Sequence, residues 1–248
     1  MDSQRLTRML AEITEREFAI NTVLIVRNGY LVMETNLWPY QSQARHMILS
    51  ITKSLTSALV GIAIEHGLVD SIDQPVLSFF PDRQVKHRDD RKEAMTIEHL
   101  LTMTSGLSCE QDEMVVGEMM VSDDWVQYVL DLPMVGEPGE AFAYCTVNSF
   151  LLSAILQVAT GMSARSFAEE HLFPSLGITG TVWPSSPGGV SRGGTGVGML
   201  PRDLAKIGQL YLHRGKWEGA QIVPAAWVDA STREHVAESM YGGYGYQW

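Results

Sequence analysis

Apolar positions recur along this chain with two different periods, and the places where one period gives way to the other divide it. From residue 4 to 18, Leu6, Met9, Leu10 and Ile13 return every three or four positions, which predicts a short amphipathic helix. Residues 22–26 and 30–33 are instead β-rich runs separated by Arg27-Asn28-Gly29. Asn-Gly supplies the positive φ angles of a tight turn, so these runs predict a hairpin. Trp38-Pro39 ends it, and a linker through His46 leads to Ser50-Ile51-Thr52-Lys53 and the apolar run from Ser54 to Gly67. That run predicts a buried helix capped by Gly67. At about 100° per residue, Ser50, Ser54, Ser57 and Gly61 fall on one narrow stripe with Lys53 at its edge, and Leu55, Leu59, Ile62 and Ala63 lie opposite.

From Asp70 to about Thr179 the period-two signal is thin and helical periods dominate. Pro75 leads into residues 76–80, Pro81 stops them, and the charged segment from Asp82 to Glu93 reads as a solvated loop. Thr96 predicts an N-cap for a helix over 97–103 that ends at Ser105-Gly106. An acidic loop follows through Asp112, Glu113 and Glu118, then a helix over 124–130. Gly136-Glu137-Pro138-Gly139 is a turn, residues 148–160 predict a strongly apolar helix stopped by Gly161, and Ser163 caps another helix reaching His171. The last part is mixed: a Gly-, Pro- and Ser-rich loop over 184–198, a helix from Pro201 to Leu212 with Leu204, Ile207, Leu210 and Tyr211 inward, and a short helix over 222–230. An aromatic, glycine-punctuated strand entry runs from Tyr241 to Trp248. The expected organisation is an α+β chain, with residues 1–69 and 180–248 forming an α/β subdomain and residues 70–179 a mostly helical one.

Composition narrows the function classes. A 248-residue chain with 45% hydrophobic and 19% charged residues can bury a sizeable core. Its formal net charge of −11, with no Lys/Arg cluster, argues against nucleic acid and against anionic membrane surfaces as partners. Residues 1–9 are polar and charged, and no run reaches the length of a membrane span, so a cytoplasmic location is expected. Cys109 and Cys145 are too few for a disulfide framework and are read as free thiols. The seven histidines show no paired metal spacing, so neither metal nor cofactor is expected. No Gly-x-Ser-x-Gly elbow is present, and the run from Gly193 to Gly198 lacks the lysine ending of a phosphate loop.

The chemistry therefore rests on Ser50 and Lys53. A serine hydroxyl needs a proton acceptor, and a lysine one turn along the same face supplies one if desolvation keeps its amine partly neutral. A surface helix could carry the same spacing by chance, with the lysine reaching water. Two features oppose that: the helix is too apolar for the surface, and among the chain's lysines only Lys53 has a serine three residues before it. Acidic residues 112, 113 and 118 could attract a cationic substrate or merely serve solubility. Met114, Met119, Met120 and Trp125 could line an acyl pocket or simply pack.

Taken with Phe142-Ala-Tyr144-Cys145-Thr146-Val147-Asn148, these residues resemble the penicillin-recognising serine hydrolase superfamily, in its class C β-lactamase-like branch. The stretch from Thr96 to Leu107 and the segment from Gly193 to Ala205 are similar to that branch as well. Within it, Tyr144-Cys145-Thr146 looks more like carboxylesterases and 6-aminohexanoate-oligomer hydrolases than β-lactamases, which show Asn where Thr146 stands. The resemblance implies an antiparallel sheet flanked by helices plus a helical subdomain. It implies that Ser50 attacks a carbonyl carbon, that Lys53 accepts or relays its proton, and that Tyr144 acts as base or as acid to the leaving group. Asn148, Thr146 and Cys145 would contact a small ester or linear amide substrate. The rivals are a β-lactamase or D-alanyl carboxypeptidase, and a catalytically degenerate scaffold member. The family's third motif, a Lys- or His-x-Gly triplet on a core strand, is not found: Lys206-Ile207-Gly208 and His213-Arg214-Gly215 fall in or at the end of a helix. The expectation is that further C-terminal strands carry it, on a continuation of this chain or a separate C-terminal fragment. A homodimer is the other protein partner considered.

Overall fold

The computed structural model describes residues 2–239 and 242–248. The chain starts with α1 (Ser3–Glu15), capped by the Asp2 carboxylate, which accepts the Gln4 N–H at 3.0 Å. The hairpin follows as its turn chemistry dictates: β1 (Thr22–Arg27) pairs antiparallel with β2 (Tyr30–Asn36), with Asn28 and Gly29 at φ 52° and 78°. The linker then makes β3 (His46–Met47) and enters α2 (Ile51–Glu65), whose interior positions from Leu55 to Ala63 are buried. Gly67, at φ 67°, ends that helical run.

The helical stretch opens with a 3₁₀ turn at Val76–Phe79, then α3 (Asp90–Ala94), α4 (Ile97–Leu101), α5 (Asp112–Val121), α6 (Trp125–Leu130), α7 (Thr146–Thr160) and α8 (Ala164–His171). A second short 3₁₀ turn closes it at Pro174–Leu176. Beyond the glycine-rich loop come β4 (Gly198–Met199), α9 (Pro201–Leu212), β5 (Lys216–Trp217), β6 (Ala220–Gln221), α10 (Ala225–Thr232), β7 (Val236–Ser239) and β8 (Gly242–Tyr244). The described strands form four antiparallel pairs, β1–β2, β3–β4, β5–β6 and β7–β8. The expected C-terminal strand entry is realised as β8, after which the chain turns inward and the Gln247 N–H donates to the Leu101 carbonyl at 3.1 Å. Tyr241 lies outside the described residues. Buried apolar side chains from Ile48 to Tyr246 form one continuous cluster, and α7 packs against both α2 and α4 at its centre. No single described helix is long and apolar enough to cross a membrane.

Three sequence expectations are corrected here. The segment read as a solvated loop ends in α3, and Lys92 within it is buried. Its ammonium donates to the carbonyls of Lys86, Leu130 and Leu132 at 2.9, 2.8 and 2.6 Å, so a charged residue pins the loop to the core through backbone acceptors. The acidic loop around Asp112 is the helix α5: acidic residues suit its first turn, while Val115 and Met119 turn inward. Finally, Cys109 and Cys145 are joined in a disulfide, not free. Unlike neighbourhoods in sequence say nothing about distance in space, and the fold brings the two Cα atoms to 5.5 Å, within bonding range. Such bonds persist mainly in oxidising compartments.

The bridge closes a loop with a sequence separation of 36, which by chain entropy contributes about 2–4 kcal/mol. A Cys109→Ser/Cys145→Ser protein is expected to unfold in urea with a lowered midpoint and a somewhat steeper slope, because the unfolded chain without the crosslink exposes more surface. A midpoint equal to that of the oxidised protein would show that the loop is held without the bond.

Candidate active site

The site is assembled where the N-terminus of α2 meets the start of α7 and the loop at Gly193-Gly194. Leu49, at φ 44°, occupies a region that a leucine rarely adopts, and this tight turn brings Ser50 to the surface at the helix entrance. The Ser50 hydroxyl makes no capping bond to its own helix, so it is free to face sideways. Lys53 lies one turn further on. Its side chain is buried to 2% exposure and its Nζ stands 3.2 Å from Ser50 Oγ. An exposed hydroxyl thus abuts a desolvated amine.

Two further oxygens complete the amine's surroundings. Lys53 Nζ donates to Thr146 Oγ1 at 3.1 Å and to the Gly194 carbonyl at 2.9 Å. The loop reaches this position because it has no side chains there: a Cβ on Gly193 would lie 2.0 Å from the Ser149 carbonyl oxygen, and one on Gly194 would lie 2.7 Å from Thr146. Next to it, the Gly193 carbonyl accepts from Thr56 Oγ1 at 2.7 Å. The glycine run is therefore a close-approach device, which delivers two carbonyls to α2. The Tyr144 ring sits with its centroid 4.8 Å from Lys53 Nζ, and the residue is 37% exposed.

Behind Thr146 stands Asp112, the first residue of α5. Its Oδ1 accepts the Thr146 N–H at 2.5 Å and its Oδ2 accepts the Thr146 hydroxyl at 2.7 Å. Burial pushes the Lys53 amine down to about 8, against the opposing pull of the Asp112 carboxylate. The disulfide ties the α5 approach to the segment carrying Tyr144 and Thr146, because Cys109 and Cys145 lie just before Asp112 and Thr146.

Of the residues singled out from sequence, Ser50, Lys53, Tyr144 and Thr146 converge. Thr146 touches the lysine itself. Cys145 spends its sulfur in the disulfide and its N–H on Met103 Sδ, so its side chain is not offered to a ligand. Asn148 is fully buried on α7, accepting from Ser105 Oγ at 3.0 Å and donating to Met103 Sδ, and these contacts hold a core turn. Met119 and Trp125 are buried in the core while Met114 and Met120 face outward, so the four do not make one pocket. The small stripe on α2 faces the C-terminal segment: Ser54 Oγ donates to the Gln247 carbonyl at 2.8 Å, and Gly61 makes room for the Trp227 ring. Sequence reading did not single out Asp112 above its acidic neighbours, and it missed the Gly194 carbonyl. For the latter the paired glycines were a signal; for Asp112 nothing local distinguished it.

A family model described as Beta-lactamase matches residues 11–248. The 6-aminohexanoate-dimer hydrolase of Paenarthrobacter ureafaciens is 24% identical over 273 residues, covering 98% of this chain and 68% of the relative. Monacolin J acid methylbutanoyltransferase of Aspergillus terreus is 30% identical over 159 residues, covering 57% of this chain and 38% of its own. The chain thus spans between 38% and 68% of the length of these curated relatives. Among solved structures, EstCE1, described as a hydrolase with promiscuous acyltransferase activity, matches with a TM-score of 0.80 at 16% identity, over 98% of this chain and 82% of its own. A superposition of that extent gives the chain a β-lactamase/transpeptidase-like fold, with mixed helices and antiparallel strands.

Proposed function

The chain belongs to the beta-lactamase family, and from that premise we propose that it is a serine hydrolase that cleaves short-chain esters or linear amides through an acyl-enzyme on Ser50. The observation that carries this reading is the 3.2 Å approach of a buried, partly neutral lysine amine to an exposed serine hydroxyl. Ser50 Oγ attacks the carbonyl carbon while its proton passes to Lys53 Nζ. The carbonyl π pair moves onto oxygen, which the Ser50 N–H at the helix entrance is placed to meet; among the described residues no backbone oxygen claims that N–H. Collapse of the tetrahedral species expels the alcohol or amine, which takes a proton from Tyr144, and the Lys53 ammonium beside that ring returns its proton to the phenolate, so the amine is neutral again for the second half-reaction. Water then repeats the attack on the acyl-serine and frees the acid.

Preference for esters or linear amides over lactams draws on Thr146. Where β-lactamases carry an amide side chain that can reach a substrate, this chain has a hydroxyl already engaged by Lys53 and Asp112. The deciding experiment treats the protein with a fluorophosphonate probe, maps the modified peptide, and compares a p-nitrophenyl short-chain ester with a coloured cephalosporin. Stoichiometric labelling on Ser50 with ester turnover exceeding cephalosporin turnover is expected. Faster cephalosporin opening would reassign it as a β-lactamase, and no labelling at all would make it a scaffold member of the family.

A further inference from the structure

Resting on that role for Ser50 and Lys53, we infer that Asp112 is a positioning residue that acts through Thr146 to aim the free electron pair of the neutral Lys53 amine at Ser50 Oγ. Protons and lone pairs around Nζ leave one arrangement. A neutral lysine amine has two N–H bonds and one lone pair. The Gly194 carbonyl can only accept, so it takes one N–H. Thr146 Oγ1 could do either, having one proton and two lone pairs. Asp112 removes that choice, because a carboxylate is acceptor-only and its Oδ2, 2.7 Å away, takes the hydroxyl proton. Thr146 is left to accept the second N–H. The remaining direction around Nζ is the lone pair, and the remaining hydrogen-bond partner of Nζ among the described residues is Ser50 Oγ at 3.2 Å. Without the carboxylate, Thr146 could turn its proton toward the amine and take the lone pair for itself.

Asp112 is held for this task by a second bond, from the Thr146 N–H to Oδ1, which also serves an amide at the start of α7 that the Cys145 side chain does not cap. A purely structural role, capping α7 from outside, has to be separated from the positioning role. Among the described residues, the charged and titratable groups facing Lys53 are Asp112 from α5, Tyr144 from the segment before α7 and, behind Tyr144, Tyr244 of β8. The loop at Gly193-Gly194 presents only carbonyls.

The test is the pH profile of ester hydrolysis by Asp112→Asn, set beside Thr146→Val and Thr146→Ser. An asparagine keeps an acceptor for the Thr146 N–H, so the cap survives, but its NH₂ donates toward Oγ1 and reverses the hydroxyl. The plateau kcat is expected to fall 10- to 100-fold with KM within about threefold. At the same time the acid limb moves below its wild-type position near 8, since removing the anion makes the ammonium easier to deprotonate. Thr146→Val is expected to lose a similar factor and Thr146→Ser to recover most of it. A plateau kcat for Asp112→Asn within twofold of wild type overturns the inference. So does a fall in kcat that tracks a lowered melting temperature with the acid limb unmoved, which leaves Asp112 a helix cap. Fluorophosphonate labelling of the wild-type protein is run alongside: labelling on Ser50 keeps the hydrolase reading intact when the Asp112 result is negative, and its absence removes both.

Discussion

Ser50→Ala is expected to lower kcat for a short p-nitrophenyl ester by about 10⁴-fold or more and to abolish fluorophosphonate labelling, while the melting temperature stays close to wild type. The rate effect follows from the chemistry: without Oγ no acyl-enzyme forms, and what survives is the modest help of binding and oxyanion contact to direct attack by water. The small effect on stability follows from the position. Ser50 is exposed, and among the described residues its side chain hydrogen-bonds with Lys53 alone, so alanine opens no cavity and strands no buried acceptor. Turnover within tenfold of wild type, measured on protein free of contaminating esterase, would move the nucleophile elsewhere.

Lys53→Met is expected to cost about 10²- to 10⁴-fold in kcat, the range of a positioned general base, with the protein still folded. Methionine is unbranched and fills most of the same buried volume, so the packing of α2 against α7 is retained. The variant leaves the Gly194 carbonyl and Thr146 Oγ1 without their donor, and also removes an amine that burial disfavours in its charged form. Two pH signatures check the assignment. In the wild type the rate rises with pH through about 8 as the amine becomes neutral, and that limb is expected to vanish in the variant. Stability carries the matching sign. The folded amine titrates near 8 and the unfolded one near 10.5, so between those values the unfolded chain holds the extra proton. Wild-type stability is therefore expected to gain from Lys53 as pH rises across that window, a slope that Lys53→Met lacks. A retained acid limb, or near-normal turnover, would leave Lys53 a structural residue.

How far the site was legible from the chain alone differs from residue to residue. Ser50 and Lys53 could be read because their spacing is local: three residues along a helix is one face, whatever the rest of the protein does. Tyr144 and Thr146 came only through resemblance, since 93 residues separate Thr146 from the lysine it touches and no local rule spans that gap. Asp112 sat in a stretch where acidity suggested solvent, and Cys109 and Cys145 were judged by their neighbours in sequence. Both judgements failed for one reason: the helix packing that carries residue 112 to residue 146 also carries residue 109 to residue 145.

What the sequence by itself determined is everything set by short-range stereochemistry: the Asn28-Gly29 hairpin, the apolar helices with their caps, and the serine and lysine sharing one face of α2. What only the tertiary structure decided is which distant groups surround the amine. The Gly194 carbonyl, the Thr146 hydroxyl and the Asp112 carboxylate meet Lys53 because three elements pack around one buried point. A desolvated charge takes its properties from its few nearest neighbours, and those neighbours are chosen by packing across the core, not by order along the chain.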